Sequence, residues 1–150
     1  MTVYPDTSFL CALYRQQDNS KQADALFNRL TSPLTVAALV IFEFRQSVRF
    51  QTFLHHQDGR KGYSERQGSR MLADLRADLS AGRLQIAAID WAKVISAAEQ
   101  LSAQFTSKGG YRGFDILHIA TALELEAGEF LSFDTRQCSL ARAVGLKTRP

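Results

Sequence analysis

The chain has 150 residues, of which 45% are apolar and 22% are charged, and its formal net charge is +3. This length and composition predict one compact domain over residues 1–150 and exclude disordered and collagen-like proteins. Cys11 and Cys138 give neither a disulfide framework nor a zinc-binding spacing, and no run approaches the ~18 apolar residues of a membrane span. We therefore expect a cytoplasmic protein with reduced thiols and no membrane segment.

The first half of the chain alternates short β-prone segments with helical apolar patterns. The predicted elements are a strand at residues 3–4, a helix from residue 9, a helix at 20–30 with Ser20 as a possible N-cap, a strand at 34–37 and a helix at 39–54. Residues 40–42 also fit a strand. The first strand is followed directly by Asp6, and the helix at 39–54 carries Glu43.

The second half continues this alternation after a polar segment at residues 55–70. This segment is predicted to be a helical excursion with an exposed tip. The predicted elements are a helix at 71–79, a strand at 84–89, a helix at 91–105, a flexible glycine-rich loop at 108–113, a helix at 116–125 opened by Asp115, and a strand at 130–133 that ends at Asp134. Strands that alternate with helices imply an α/β fold with a parallel sheet.

Four acids, Asp6, Glu43, Asp115 and Asp134, lie where predicted strands end or helices begin. In a parallel sheet such positions face the crevice at the carboxyl ends of the strands, so the four side chains are expected to converge. Converging carboxylates repel each other unless a cation neutralises them, which indicates a hard metal such as Mg²⁺ or Mn²⁺. A basic protein around such a metal indicates a polyanionic substrate, with nucleic acid first.

Several of these residues also have a purely structural interpretation. Asp115 and Asp134, each taken alone, fit ordinary helix caps or turn residues. The hydroxyls of Thr7 and Ser8 either bond a carboxylate or a metal-bound water, or cap the helix that follows.

Three further side chains belong to the predicted surroundings of the site. Lys108 and Arg112 are the strongest candidates for phosphate contacts, because their glycine-rich loop leads into Asp115. His118 lies one helical turn beyond Asp115, and its apolar neighbours favour a satisfied core histidine over a site residue.

The joint order of these motifs resembles that of PIN-domain ribonucleases. The matching segments are PDTSFL at residues 5–10, the helix with Glu43, GFDILHIATAL at 113–123 and FLSFDTRQ at 130–137. The resemblance covers essentially the whole chain and is closest to the VapC-like toxins of type II toxin–antitoxin pairs, which are small endoribonucleases.

The resemblance implies a PIN-like three-layer sandwich, with a central, mainly parallel sheet of about four or five strands flanked by helices. It implies catalysis of RNA cleavage by Asp6, Glu43, Asp115 and Asp134, with Mg²⁺ or Mn²⁺ bound mainly through Asp6 and Asp115. Asp134 would complete the metal site, and Glu43 would act as a further ligand or orient the attacking water. A cognate antitoxin and a homodimer are the implied partners.

Other phosphate chemistries fit the sequence less well. A phosphotransferase with Asp6 as its nucleophile would place a second acid two residues later, where Ser8 stands. A receiver domain would need adjacent acids after the first strand. The remaining alternative is a noncatalytic RNA-binding or protein-interaction module that keeps the PIN fold.

Overall fold

The computed structural model describes residues 1–150 and contains five short strands, all paired in parallel. The strands are β1 (Val3–Pro5), β2 (Leu34–Val36), β3 (Leu84–Ile86), β4 (Glu129–Leu131) and β5 (Lys147–Arg149). Hydrogen bonds join them in the order β1-β4-β5 and, separately, β2-β3, and β2 packs alongside β1. The predicted parallel sheet of four or five strands is confirmed, although its hydrogen bonding is interrupted between β1 and β2.

Helices connect the strands and flank the sheet. They are α1 (Thr7–Tyr14), α2 (Ser20–Asn28), α3 (Ala38–Gln57), α4 (Glu65–Ser80), α5 (Trp91–Leu101), a π-helical turn (Ser102–Thr106), the one-turn α6 (Ser107–Gly109), α7 (Gly113–Glu124) and α8 (Thr135–Ala143). Residues 40–42 lie inside α3, so their alternative interpretation as a strand is wrong. None of these helices combines the length and the apolar character needed to cross a membrane.

Helix α4 begins six residues before the predicted start at residue 71. Ser64 caps it, because its hydroxyl accepts a hydrogen bond from the backbone N–H of Gln67 (3.2 Å) and Oε1 of Gln67 accepts one from the backbone N–H of Ser64 (2.9 Å). This reciprocal capping box satisfies two backbone donors that the polar first turn would otherwise leave open. The apolar stripe alone therefore underestimates the length of the helix.

Two local predictions differ from the structure. Asn19, not Ser20, precedes α2 as its N-cap, and the hydroxyl of Ser20 instead donates to the carbonyl of Arg15 (2.8 Å). The glycine-rich segment at residues 108–113 is partly helical, since α6 occupies its beginning and α7 starts at Gly113. The two helices are joined through Gly110, whose φ of +64° lies in the left-handed region that favours glycine.

The core places the ends of β1 and β4 side by side. The aromatic rings of Tyr4 and Phe130 are both fully buried and stack with centroids 6.2 Å apart. The ladder pairs Pro5 with Leu131, and the backbone N–H of Asp6 donates to the carbonyl of Leu131 (3.0 Å). The first residues after the two strands are consequently neighbours, although they are far apart in the sequence.

Candidate active site

Asp6 is the buried centre of the candidate site. Its side chain caps α1 and accepts hydrogen bonds from the backbone N–H of Phe9 (3.0 Å), the hydroxyl of Ser8 (2.6 Å) and the hydroxyl of Ser132 (2.5 Å). Its exposure is 0%. Burial raises the pKa of this carboxyl above its ordinary value, and the donors together with the nearby His118 only partly oppose that effect.

Ser132 links Asp6 to the loop that carries Asp134. Its hydroxyl donates to Asp6 and accepts a hydrogen bond from the backbone N–H of Asp134 (2.9 Å). Ser8 strengthens the same junction, because its hydroxyl also accepts from the backbone N–H of Phe133 (2.9 Å). Ser132 is not among the residues predicted for the site, and its one sequence signal is a hydroxyl within the apolar run at residues 130–133.

Asp134 caps α8, as the structural interpretation of this residue predicts. Its Oδ1 accepts from the backbone N–H groups of Arg136 (2.8 Å) and Gln137 (3.1 Å). Its Oδ2 makes no hydrogen bond within the chain, and the side chain is half-buried. Asp134 therefore combines a capping role with an oxygen that is open to a ligand.

Asp115 lies in the first turn of α7 and contacts α8 through Gln137. Its Oδ2 accepts from the backbone N–H of Arg112 (3.0 Å), and its Oδ1 accepts from Nε2 of Gln137 (3.2 Å). Gln137 is only 6% exposed, and its buried Oε1 has no hydrogen-bond partner. Gln137 is likewise not among the predicted site residues, although it lies within the FLSFDTRQ segment at residues 130–137.

Glu43 approaches the site from α3. Its Oε1 accepts a hydrogen bond from the hydroxyl of Thr7 (2.8 Å) and lies 2.5 Å from Nε2 of His118. Burial alone would raise the pKa of Glu43, but the hydrogen bond and charge of His118, with the bond from Thr7, lower it overall. Both hydroxyls after Asp6 therefore bond carboxylates, Thr7 bonding Glu43 and Ser8 bonding Asp6.

His118 is not the satisfied core histidine that the sequence favours. It is buried at 1% exposure, but its Nε2 contacts Glu43 and its Nδ1 has no hydrogen-bond partner. The side chain thus joins α7 to the acid on α3. Its spacing of three residues from Asp115 was the signal for a place in the site.

Shared partners connect three of the four predicted acids, and the fourth, Glu43, bonds the residue next to Asp6. Ser132 joins Asp6 to the loop of Asp134, and Gln137 joins Asp134 to Asp115. Glu43 shares no partner with these three acids, but it accepts from Thr7, the residue that follows Asp6. No three His, Cys, Asp or Glu side chains converge closely enough to hold a metal ion by themselves.

The donor set nevertheless fits a hydrated Mg²⁺ or Mn²⁺ ion. Mg²⁺ keeps several waters and is held by one or two carboxylates, whereas a dedicated cage of protein ligands would need closer convergence. All the available groups are hard oxygen donors, which these cations prefer.

The loop next to Asp115 carries the two predicted phosphate-binding residues. Lys108 and Arg112 are both exposed. The guanidinium of Arg136 donates to the carbonyl of Gly110 and so ties this loop to α8. The loop is therefore fixed beside the acids, whereas the binding of phosphate by its side chains stays a prediction.

Comparison with known proteins identifies a matching family model and similar folds. The family model described as PIN domain matches residues 3–143. A search of curated proteins finds no match.

Several solved structures share the fold over nearly their whole length. FitAcB from Neisseria gonorrhoeae has a TM-score of 0.63 at 16% identity, covering 99% of this chain and 97% of that chain. VapC20 of Mycobacterium tuberculosis, described as a sarcin-ricin loop cleaving toxin, has a TM-score of 0.60 at 19% identity, covering 99% and 100%. VapBC2 from Rickettsia felis, bound to a DNA fragment from its promoter, has a TM-score of 0.66 at 16% identity, covering 99% and 98%. At these identities the likeness establishes the fold.

Proposed function

Because the chain belongs to the PIN domain family, we propose that it is a metal-dependent endoribonuclease that hydrolyses RNA phosphodiester bonds. The observation that carries this proposal is the series of hydrogen bonds that links Asp6, Asp134 and Asp115 through Ser132 and Gln137. Glu43 lies beside them and is bonded by Thr7, the residue after Asp6. These acids come from four separate segments of the chain. A fold that gathers carboxylates from such distant positions is suited to binding a hard cation and a phosphate.

Asp6, Asp115 and Asp134 are the proposed holders of Mg²⁺ or Mn²⁺. The bound cation would lower the pKa of a coordinated water and offset the negative charge of the phosphate. Ser8 and Ser132 hold the carboxylate of Asp6 in one orientation. Ser8 and Ser132 therefore hold Asp6 in place before any substrate binds. The site then needs less reorganisation during the reaction.

Glu43 is the proposed residue that orients the attacking water. Its lowered pKa favours the ionised carboxylate, which can accept a hydrogen bond from that water. Thr7 and His118 both engage Oε1, and Oε2 makes no hydrogen bond within the chain. The free oxygen can thus face the water while the other anchors the side chain.

The proposed substrate is RNA, with Lys108 and Arg112 contacting its phosphates. Both side chains are exposed on the loop that leads into Asp115, and the chain carries a net charge of +3. Such contacts would position the RNA backbone without reading its sequence.

The structural relatives favour a role as the toxin of a type II toxin–antitoxin pair. One of them is described as a toxin that cleaves the sarcin-ricin loop, and another is the VapBC2 complex. The proposal accordingly includes a cognate antitoxin, a homodimer, a single domain over residues 1–150 and action in the cytoplasm.

A noncatalytic RNA-binding or protein-interaction module is the second candidate. It is favoured by the absence of three acid, histidine or cysteine side chains close enough to hold a metal directly. In that case the acids would serve mainly as helix caps and as links between segments.

Cleavage of a mixed RNA panel by the purified chain separates the two candidates. The protein is incubated with Mg²⁺, Mn²⁺ or EDTA, beside Asp115→Asn and the control Asp24→Asn, which changes an exposed acid on α2. We expect metal-dependent cleavage that Asp115→Asn abolishes and Asp24→Asn retains. Binding of RNA without cleavage in any metal would favour the noncatalytic module.

A further inference from the structure

Gln137 occupies a helix position at which a glutamine side chain normally bonds the backbone of the N-cap residue. Asp134 is the N-cap of α8 and Gln137 is the third helical residue, the spacing of a capping box. In such a box the glutamine side chain accepts from the backbone N–H of the N-cap, as Gln67 does toward Ser64 in α4. Gln137 does not make this bond.

The side chain of Gln137 is directed to Asp115 instead. The backbone N–H of Asp134 donates to the hydroxyl of Ser132, which takes the acceptor role that glutamine has in a capping box. Nε2 of Gln137 is then free to donate to Oδ1 of Asp115 (3.2 Å). The reverse amide orientation would place Oε1 against a carboxylate oxygen, so electrostatic repulsion fixes which end faces Asp115.

This arrangement leaves Oε1 of Gln137 buried and without a partner. A buried acceptor that makes no hydrogen bond destabilises the folded state. An apolar side chain of similar size would avoid that cost, and a conventional capping box would satisfy the amide oxygen. The orientation that bonds Asp115 is therefore less favourable for local stability than a conventional capping box.

We infer that Gln137 is a positioning residue of the proposed nuclease. It fixes the carboxylate of Asp115 relative to Asp134, because its Nε2 donates to Asp115 and its backbone N–H donates to Asp134. This inference rests on the proposed metal-dependent function. It assigns Gln137 no direct contact with the scissile phosphate.

Two parallel substitutions test the inference. Gln137→Met keeps the side-chain volume but removes the donor to Asp115, whereas Gln67→Met makes the same change at the capping box of α4. Thermal unfolding without metal, Mn²⁺ affinity by calorimetry, and kcat and KM for a cleaved RNA are measured for both variants and the parent.

We expect opposite results from the two variants. Gln137→Met keeps or raises the unfolding midpoint, because the unpartnered acceptor is lost, but weakens Mn²⁺ binding and lowers kcat by about 10- to 100-fold with little change in KM. Gln67→Met lowers the unfolding midpoint by a few degrees and leaves Mn²⁺ affinity and kcat unchanged. Gln137→Asn, whose amide is too short to reach Asp115, should match Gln137→Met in Mn²⁺ affinity.

Results that contradict only the inference can be distinguished from results that contradict the proposed function. If the parent binds Mn²⁺ and cleaves RNA while Gln137→Met does both equally well, the inference is overturned and the nuclease stands. A Gln137→Met chain that fails to fold also overturns it, since the role of the residue is then structural. A parent that neither binds Mn²⁺ nor cleaves RNA overturns the proposed function and the inference with it.

Discussion

Nε2 of His118 lies 2.5 Å from Oε1 of Glu43, so a buried histidine on α7 holds an acid that projects from α3. Thr7 donates to the same carboxylate oxygen from α1. Three helices thus meet at one oxygen atom. The orientation of Glu43 depends on the relative placement of all three helices.

Loss of the histidine should reduce catalysis more than stability. His118→Leu removes the contact with Glu43 but also removes the unpartnered Nδ1, so we expect the free energy of unfolding to change by no more than about 1 kcal/mol. The value of kcat should fall roughly 10- to 100-fold. His118→Gln, whose amide can still donate to Glu43, should retain most of the activity. Equal losses in both variants would contradict a positioning role.

The buried carboxyl of Asp6 should make stability decrease as the pH rises. Its raised pKa means that the folded chain retains this proton at a pH where the unfolded chain has released it. The resulting stabilisation is complete below the unfolded pKa, near 4, and is lost as the pH rises through the folded pKa. The metal-free fold is therefore less stable above the folded pKa, where Asp6 is ionised, than at acidic pH.

Asp6→Asn isolates this effect. In EDTA we expect the variant to be more stable than the parent at pH 8 and to lose that advantage near pH 4, because the amide does not ionise. Urea unfolding at pH 4, 6 and 8 measures the difference, and Asp24→Asn should show no such trend. A parent that is the more stable of the two at pH 8 would rule out the proposed cost of the buried charge.

Ser132 should contribute more to the free energy of unfolding than an exposed serine does. Ser132→Ala leaves Oδ2 of Asp6 and the backbone N–H of Asp134 without their partner, so we expect a loss of about 2 kcal/mol. Chemical denaturation gives the value, and Ser139→Ala, an exposed serine on α8, should cost less than about 0.5 kcal/mol. Similar losses at the two serines would show that Ser132 makes no special contribution.

The tip between α3 and α4 depends on the absence of a side chain at Gly62. Its φ is +61°, and a Cβ there would lie 1.9 Å from the carbonyl oxygen of Gln51. We expect Gly62→Ala to destabilise the fold by more than about 2 kcal/mol, since strain and steric overlap add. Gly59→Ala, where no atom lies within 4 Å of an added Cβ, is the control in the same loop. A thermal midpoint of Gly62→Ala equal to that of the control would refute this.

The sequence predicts the main connections of the fold better than it predicts the links within the site. Strand ends and helix starts are local features, so the pattern places Asp6 and Asp134 at the edge of a parallel sheet. Ser132 and Gln137 were missed because their importance comes from partners more than 20 positions away. Gln137 even stands at capping-box spacing, and only the tertiary structure shows that it bonds Asp115 instead.

The boundaries of strands and helices are also only partly predictable from the sequence. The sequence does not predict β5, because three polar residues give no apolar alternation and only pairing with β4 makes them a strand. In contrast, the Ser64–Gln67 pair that starts α4 is a local signal that was available in the sequence. The predicted start of the helix is placed at residue 71 instead, because the apolar stripe begins there.

The pairing of β1 with β4 also determines when the site can form during protein synthesis. Asp6 and Ser132 are 126 positions apart in the chain, so ribosomes expose the first acid long before they make its hydroxyl partner. Asp6 then remains without the neighbours that enclose it until β4 and the start of α8 have been translated. A nascent chain consequently lacks the complete acidic centre, and cleavage of nearby RNA by the proposed nuclease begins only after Ser132 and the start of α8 have been made.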